Sequence, residues 1–278
     1  MKKICLIAAL FIQVQFVFAQ EALLWKVTGK GTHTSYLFAT GIVCKKEIKV
    51  GAAVEQALAS SKKVYFEMPD KIDEAHFDSL TRLPKGDSIS HYFSAEEYSL
   101  LKSFTQRRLH FNIDPLGDAI PGFLYTMLRN LLSYCDPNVN YTSVIQNLAK
   151  DNDLEVFALE TIDASIAAQN NIPGKTYSRL MMDYVYETAR MQELRKQLMA
   201  LYEKRDIAGM YALHKSSKEL GGYEEKLLGD RNKNWIPVIK KAFTTGPTFV
   251  CAGALQFWGD EGLITLLRKE GYTVTAVQ

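Results

Sequence analysis

Four short segments carry the residue types that could do chemistry in this chain. Glu67 closes the apolar run "KKVYFEMPD", and Glu160 closes "LEVFALE". A carboxylate at the end of a strand can hold a divalent cation, act as a general base, or pair with a cation of the protein itself. Arg231 and Asn232, in "GDRNKNWIPVI", supply a guanidinium for such a pair and an amide to brace the site or contact a ligand. An unpaired charge in low dielectric is strongly unfavourable, so a buried Glu67 or Glu160 needs a partner, and Arg231 suits bidentate pairing. The alternatives for both carboxylates are therefore helix capping or pairing with Arg231, against a ligand-binding or catalytic role. The fourth segment, "CAGALQFWGDEGL" from Cys251, has a strand that breaks at Gly253 below a helix. Turns of this kind are where α/β proteins place reactive groups. Yet Leu255, Gln256, Phe257 and Trp258 include no nucleophile, no good metal ligand and no group that titrates near neutral pH.

The five histidines are His33, His76, His91, His110 and His214, and none lies in that turn. Gln256 donates and accepts hydrogen bonds but is a poor ligand for a transition metal. The remaining metal reading is a hard cation held by Glu67, Glu160 and Gln256; the expectation is that no metal is bound. Trp258 and Phe257 would either line an apolar pocket beside the turn or pack on the neighbouring helix.

Such residues need strands to hold them. "ALLWKV" and "TSYLFATGIV" flank a Gly- and Thr-rich turn and read as a β-hairpin. A helix follows over 49–60, and then the strand that ends at Glu67. The C-terminal end has a matching order: strand "TFVCAG", a helix from about Asp260 to Glu270, and strand "YTVTAV". The middle is mainly helical. Ser94 and Glu97 form a capping box, residues 176–216 read as one or two long amphipathic helices, and the "GDRNKNWIPVIKKAF" helix should break or bend at Pro237. The predicted fold is α/β: a mixed central β-sheet from two pseudo-symmetric β-α-β units, with a mainly helical middle insertion.

The first residues set the compartment. Met1-Lys2-Lys3 precedes the apolar run "ICLIAALFIQVQFVF", with Val17 and Ala19 placed for cleavage before Gln20. That is the secretory pattern. Residues 1–19 are read as a signal peptide and 20–278 as a single domain, periplasmic or extracellular, with no membrane span in the mature chain. A net charge of +2 without a dense basic run argues against nucleic-acid binding. Removing the leader takes away Cys5 and leaves Cys44, Cys135 and Cys251, so at least one thiol stays free. Buried small residues are the expectation for these, with a Cys44–Cys251 disulfide as the alternative.

The order of these pieces resembles the TraB/GumN family, whose relatives include the Tiki proteases and, more distantly, the ChaN and erythromycin-esterase groups. "LLWKVTGKGTHTSYLFAT", "VGAAVEQALASSKKVYFEM", "ALETIDASIAA", "GDRNKNWIPVI" and the last thirty or so residues carry the likeness. The resemblance implies two Gly-x-x-His turns, whose histidines bind a divalent metal together with acidic residues in Tiki-like members. This chain departs at both. Ile42 stands where the first histidine belongs, and Gln256 where the second belongs. His33, in the hairpin turn, is the nearest substitute. The leading expectation is a degenerate relative that acts as a binding or scaffold protein for an unknown peptide or small ligand. The alternatives are a metal-dependent, peptidase-like hydrolase with an altered site built on Glu67 and Glu160, and a carrier for an apolar ligand such as haem. Arg231, Asn232 and Trp258 complete the expected cleft.

Overall fold

The computed structural model describes residues 22–45, 48–132, 139–218 and 222–278. The expected signal peptide and Cys135 lie outside the described residues. The strands are β1 (Leu24–Thr28), β2 (Ser35–Thr40), β3 (Ile42–Val43), β4 (Lys63–Phe66), β5 (Val139–Asn140), β6 (Glu155–Ala158), β7 (Thr248–Gly253) and β8 (Thr273–Val277). Six form a mixed central sheet in the order β6-β4-β7-β2-β1-β8, and β3 pairs with β5 in a small second sheet.

β7 is parallel to both β2 and β4, and β4 is parallel to β6. β1 runs antiparallel to β2 and to β8. The N- and C-terminal units therefore exist as expected, but they interleave. The C-terminal strand β7 sits between β2 and β4, the two strands of the N-terminal unit. After Thr248 its sequence, TFVCAG, is apolar because helices cover both faces of a central parallel strand.

Alternate β7 side chains show the two layers. Val250 and Ala252 face a cluster with Trp25, Leu37, Trp235, Phe243 and Leu267. Phe249 and Cys251 face the opposite cluster, with Phe38, Leu58, Val64 and Ile145. Helices Glu224–Thr245 and Leu263–Lys269 thus cover one face, and helices Ala52–Ala59 and Tyr141–Asp151 the other. A third cluster, around Leu101, Tyr125, Leu180 and Met181, is the core of the helical middle.

Several local expectations change. The 176–216 stretch is three helices: Gly174–Tyr186, Thr188–Glu203 and Ile207–Ser217. Arg205, at φ 62°, turns the chain between the last two. Helix Glu224–Thr245 continues through Pro237 rather than breaking there. Pro237 removes one intrahelical hydrogen bond, while buried Trp235, Ile236, Ile239 and Phe243 anchor the helix on both sides of it. The last helix starts at Leu263, because the residues at the expected start form a turn instead, closed by the Gly262 N–H donating to the Gly259 carbonyl at 3.2 Å, with Gly259 at φ 93°. The Ser94–Glu97 capping box is present in full.

The Cys44–Cys251 pairing does not occur. Cys251 is a buried free thiol, and Cys44 is itself disulfide-bonded. The geometry separates them: Cys251 points from β7 into the sheet's packed face, whereas Cys44 follows β3, which has left the main sheet, and its sulfur lies 3.7 Å from Met199 Sδ. Burial pushes the Cys251 thiol well above its ordinary pKa. Cys251 is expected to resist iodoacetamide in the folded protein at mildly alkaline pH and to label on unfolding, read by peptide mass. Rapid labelling of the folded protein would contradict its placement.

Candidate functional site

Strands β2, β4, β6 and β7 point the same way, so their carboxyl ends share one edge of the sheet. Residues that follow those ends are brought together there, as in other open α/β sheets. Gly41 and Ile42 follow β2, Glu67 follows β4, Glu160 follows β6, and the Ala254–Gln256 turn follows β7. A cleft of about 370 Å3 opens on this edge. Ile42, Glu67, Arg231, Leu255 and Gln256 line its sheet side, and helical residues such as Tyr125, Arg129, Tyr177 and Arg195 line the other. Gly41 is small for a steric reason: a Cβ there would come within 2.8 Å of the Tyr202 ring. That ring is fixed by its hydroxyl, which donates to the Ala39 carbonyl at 2.9 Å.

Arg231 organises the floor. Its Nη2 donates to Glu67 Oε2 at 2.7 Å and to Glu160 Oε1 at 2.6 Å, and its Nε donates to Glu160 Oε1 at 3.0 Å. The remaining carboxylate oxygens are also engaged. Trp235 Nε1 donates to Glu160 Oε2 at 2.9 Å, and the Gly253 backbone N–H donates to Glu67 Oε1 at 2.6 Å. The Arg231 guanidinium also lies 4.7 Å from the Trp235 ring centroid, within cation–π range. The side chains of Arg231 and Glu160 are only 15% and 7% exposed, so these pairs are poorly screened by water. Burial works against the Arg231 charge, but Glu67 and Glu160 outweigh it and hold its pKa above the ordinary range.

Gln256 completes the network. With its amide oriented to match its neighbours, its nitrogen donates to Asn232 Oδ1 at 3.1 Å and to the Leu228 carbonyl at 3.2 Å. Its oxygen then accepts from Arg231 Nη1 at 3.1 Å. Asn232 Nδ2 donates to the backbone carbonyls of Gln256 and Glu261 at 2.9 and 2.8 Å. Asn232 therefore ties helix Glu224–Thr245 to the glycine turn, the bracing role. A buried polar group is stable only when paired, and this floor meets that condition through the protein's own groups.

The metal implied by the family resemblance does not fit this donor set. Ile42 offers no lone pair, Gln256 is committed to Asn232, Leu228 and Arg231, and every oxygen of Glu67 and Glu160 accepts a hydrogen bond. Among the described residues, no cluster of three or more His, Cys, Asp or Glu side chains is placed to hold an ion.

The structure gathers most of the residues singled out from the sequence. Ile42, Glu67, Arg231 and Gln256 line the cleft, with Glu160 and Asn232 joined to them from below. Trp258 does not line it; it is half-buried against the core, and Phe257 is fully buried. Leu255 takes the wall position instead. His33 is exposed at the start of β2, the opposite end from the cleft. His214 was passed over by motif reasoning. It is 1% exposed and lines the cleft from helix Ile207–Ser217. The i, i+3, i+7 spacing of Ile207, Met210 and His214 is the signal that would have placed it on a buried face.

Among the described residues, no helix is long and apolar enough to cross a membrane. Neither the curated proteins nor the solved structures give a match to this chain. The model of the TraB/PrgY/gumN family matches residues 23–276, which takes in both glycine turns, both carboxylates and the Arg231–Asn232 pair. With nearly its whole length matched, the chain belongs to the TraB/PrgY/gumN family.

Proposed function

We propose that this protein is an exported family member that has lost the metal-dependent hydrolase chemistry implied for Tiki-like relatives and uses the cleft to bind. The observation that carries this reading is the closed floor. The carboxylates that would ligate a metal or activate a water are held by Arg231, Trp235 and the Gly253 N–H, and the two histidine positions carry Ile42 and Gln256. Each oxygen of Glu67 and Glu160 already accepts a hydrogen bond from the protein, which lowers the basicity a general base would need. Export is supported by the leader-like residues 1–19 and by the disulfide at Cys44, since such bonds persist in oxidising compartments.

A second reading keeps the hydrolase. It is favoured by one observation: the cleft is open, and both Glu67 and His214 line it. One assay separates the two. Mature protein incubated with a peptide library and Zn2+, Mn2+ or Co2+ is expected to yield no products above a protein-free control. Turnover that Glu67→Gln abolishes would establish the hydrolase and overturn the binding reading.

A further inference from the structure

Two carboxylates meet one guanidinium in the floor of the cleft, so the floor holds one negative charge that Arg231 does not balance. The two carboxylates are not placed alike. The Glu160 side chain is 7% exposed and accepts from Arg231 Nη2, from Arg231 Nε with both oxygens, and from Trp235 Nε1. The Glu67 side chain is 27% exposed, lines the cleft, and accepts from Arg231 Nη2 and the Gly253 N–H. An ionised carboxylate offers about four lone-pair sites. Glu160 has used its complement, whereas Glu67 keeps about two and borders the cavity. A partly buried charge with an incomplete set of partners is unfavourable, and a cation arriving from the cavity would complete it.

Arg129, Arg195 and His214 also line the cleft, but each has partners of its own and none is a free charge there. Much of the remaining lining is apolar. Ile42 and Leu255 come from the sheet edge, and Leu198, Met199 and Met210 from the helical wall. Such a lining strengthens an ion pair by excluding water and gives an aliphatic body a place to lie. A volume of about 370 Å3 lies toward the small end of ligand pockets, which run from roughly 300 to 1,000 Å3. A primary ammonium suits Glu67 better than a guanidinium does. It is a compact charge with three rotatable donors, whereas a guanidinium fork needs both oxygens together, and each Glu67 oxygen already accepts one bond.

We propose that the cleft binds a primary ammonium group carried on a small apolar body. The ammonium donates to Glu67, and the body lies against Leu198, Met199 and Leu255. This rests on the reading of the cleft as a binding site, and it names the ligand class of that site. With the ligand bound, two carboxylates face two cations and the floor is balanced.

Calorimetric titration with octylammonium, octanol and octanoate at neutral pH tests this on the protein without residues 1–19, because the three share a body and differ in head charge. Octylammonium should bind at least about tenfold more tightly than octanol, the effect of a charge-assisted hydrogen bond, and octanoate more weakly still. Glu67→Gln should remove most of that preference, and it leaves Arg231 and Glu160 as a matched pair. Leu198→Trp, which fills the cleft from its helical wall, should weaken octylammonium and octanol alike by at least about tenfold. Circular dichroism checks both folds, so misfolding of one variant leaves the other arm. A free amine and the amino terminus of a peptide share this chemistry. Leu-Leu amide is therefore titrated beside octylammonium, each with its amine free and acetylated. The tighter binder identifies the source, and acetylation should weaken either by at least about tenfold.

No binding of octylammonium, equal affinity for octylammonium and octanol, or tighter binding of octanoate would each overturn the proposal. So would a preference that survives Glu67→Gln, affinity unchanged by acetylation, or octylammonium binding unchanged in Leu198→Trp. Octanol or octanoate seated in the cleft would leave the binding reading standing while the ammonium head falls. Peptide turnover or bound metal would overturn the binding reading itself.

Discussion

Replacing Arg231 by Met should destabilise the protein by about 3–5 kcal/mol, the penalty for removing one partner of a buried ion pair. The reason is the fate of Glu67 and Glu160. Their carboxylates converge on a single guanidinium, and the Glu160 side chain is 7% exposed. Without Arg231 two like charges face each other with little water to screen them. Gln256 also loses the donor that its oxygen accepts from. Urea unfolding should show the loss directly, together with a fall in Tm of about 10 °C. The triple variant Glu67→Gln/Glu160→Gln/Arg231→Met should recover at least half of it, because the uncompensated charge is gone. A loss below about 1 kcal/mol for Arg231→Met would mean that the pairs behave like solvent-screened surface bridges and that the floor is not closed.

Trp235 should show the next largest effect, and two substitutions divide its roles. Its side chain is fully buried in the core between the sheet and helix Glu224–Thr245. Trp235→Ala removes that packing, the Nε1 donor and the cation–π contact together, and should destabilise by about 3–5 kcal/mol. Trp235→Phe keeps most of the packing but leaves Glu160 Oε2 with only the longer 3.3 Å bond from Arg231 Nε in place of its 2.9 Å donor. That variant should lose about 1.5–3 kcal/mol, the net contribution of a hydrogen bond to a charged group. Parallel denaturant curves measure both. A Phe variant as stable as the parent would show that Glu160 needs no help from Trp235, and the network would shrink to Arg231.

The first effect concerns residues that the sequence brought forward, whereas Trp235 became visible only through its contacts with Glu160 and Arg231. Glu67 and Glu160 follow apolar runs, so parallel strands place them on one edge, and buried carboxylates need a cation. Arg231 then follows as the partner. Other features have no such local mark. Apolar periodicity identifies β7 as a strand but says nothing of its neighbours, so its insertion between β2 and β4 emerges only in three dimensions. Gln256 read as a vacated ligand position. Its real work depends on Leu228 and Asn232, more than twenty residues away along the chain. Trp258 looked like a wall of the cleft because it neighbours the turn. The chain instead folds Phe257 into the core and reverses at Gly259, which carries Trp258 away from the opening. His214 has the spacing of a buried residue, but helical period alone cannot separate a core from a cleft wall. Arg129 and Arg195 sit on helices whose polar residues resemble any solvated face until the helices are packed together.

In the proposed reading, the Glu67 and Glu160 carboxylates are held by Arg231, which Gln256 braces, rather than by a metal. Elemental mass spectrometry of the purified protein without residues 1–19 decides the point. No transition metal is expected at a stoichiometric level, both as isolated and after incubation with Zn2+, Mn2+ or Co2+ followed by desalting. Close to one equivalent of metal per chain that disappears in Glu67→Gln and Glu160→Gln would contradict it, because those carboxylates would then be ligands and not the partners of Arg231.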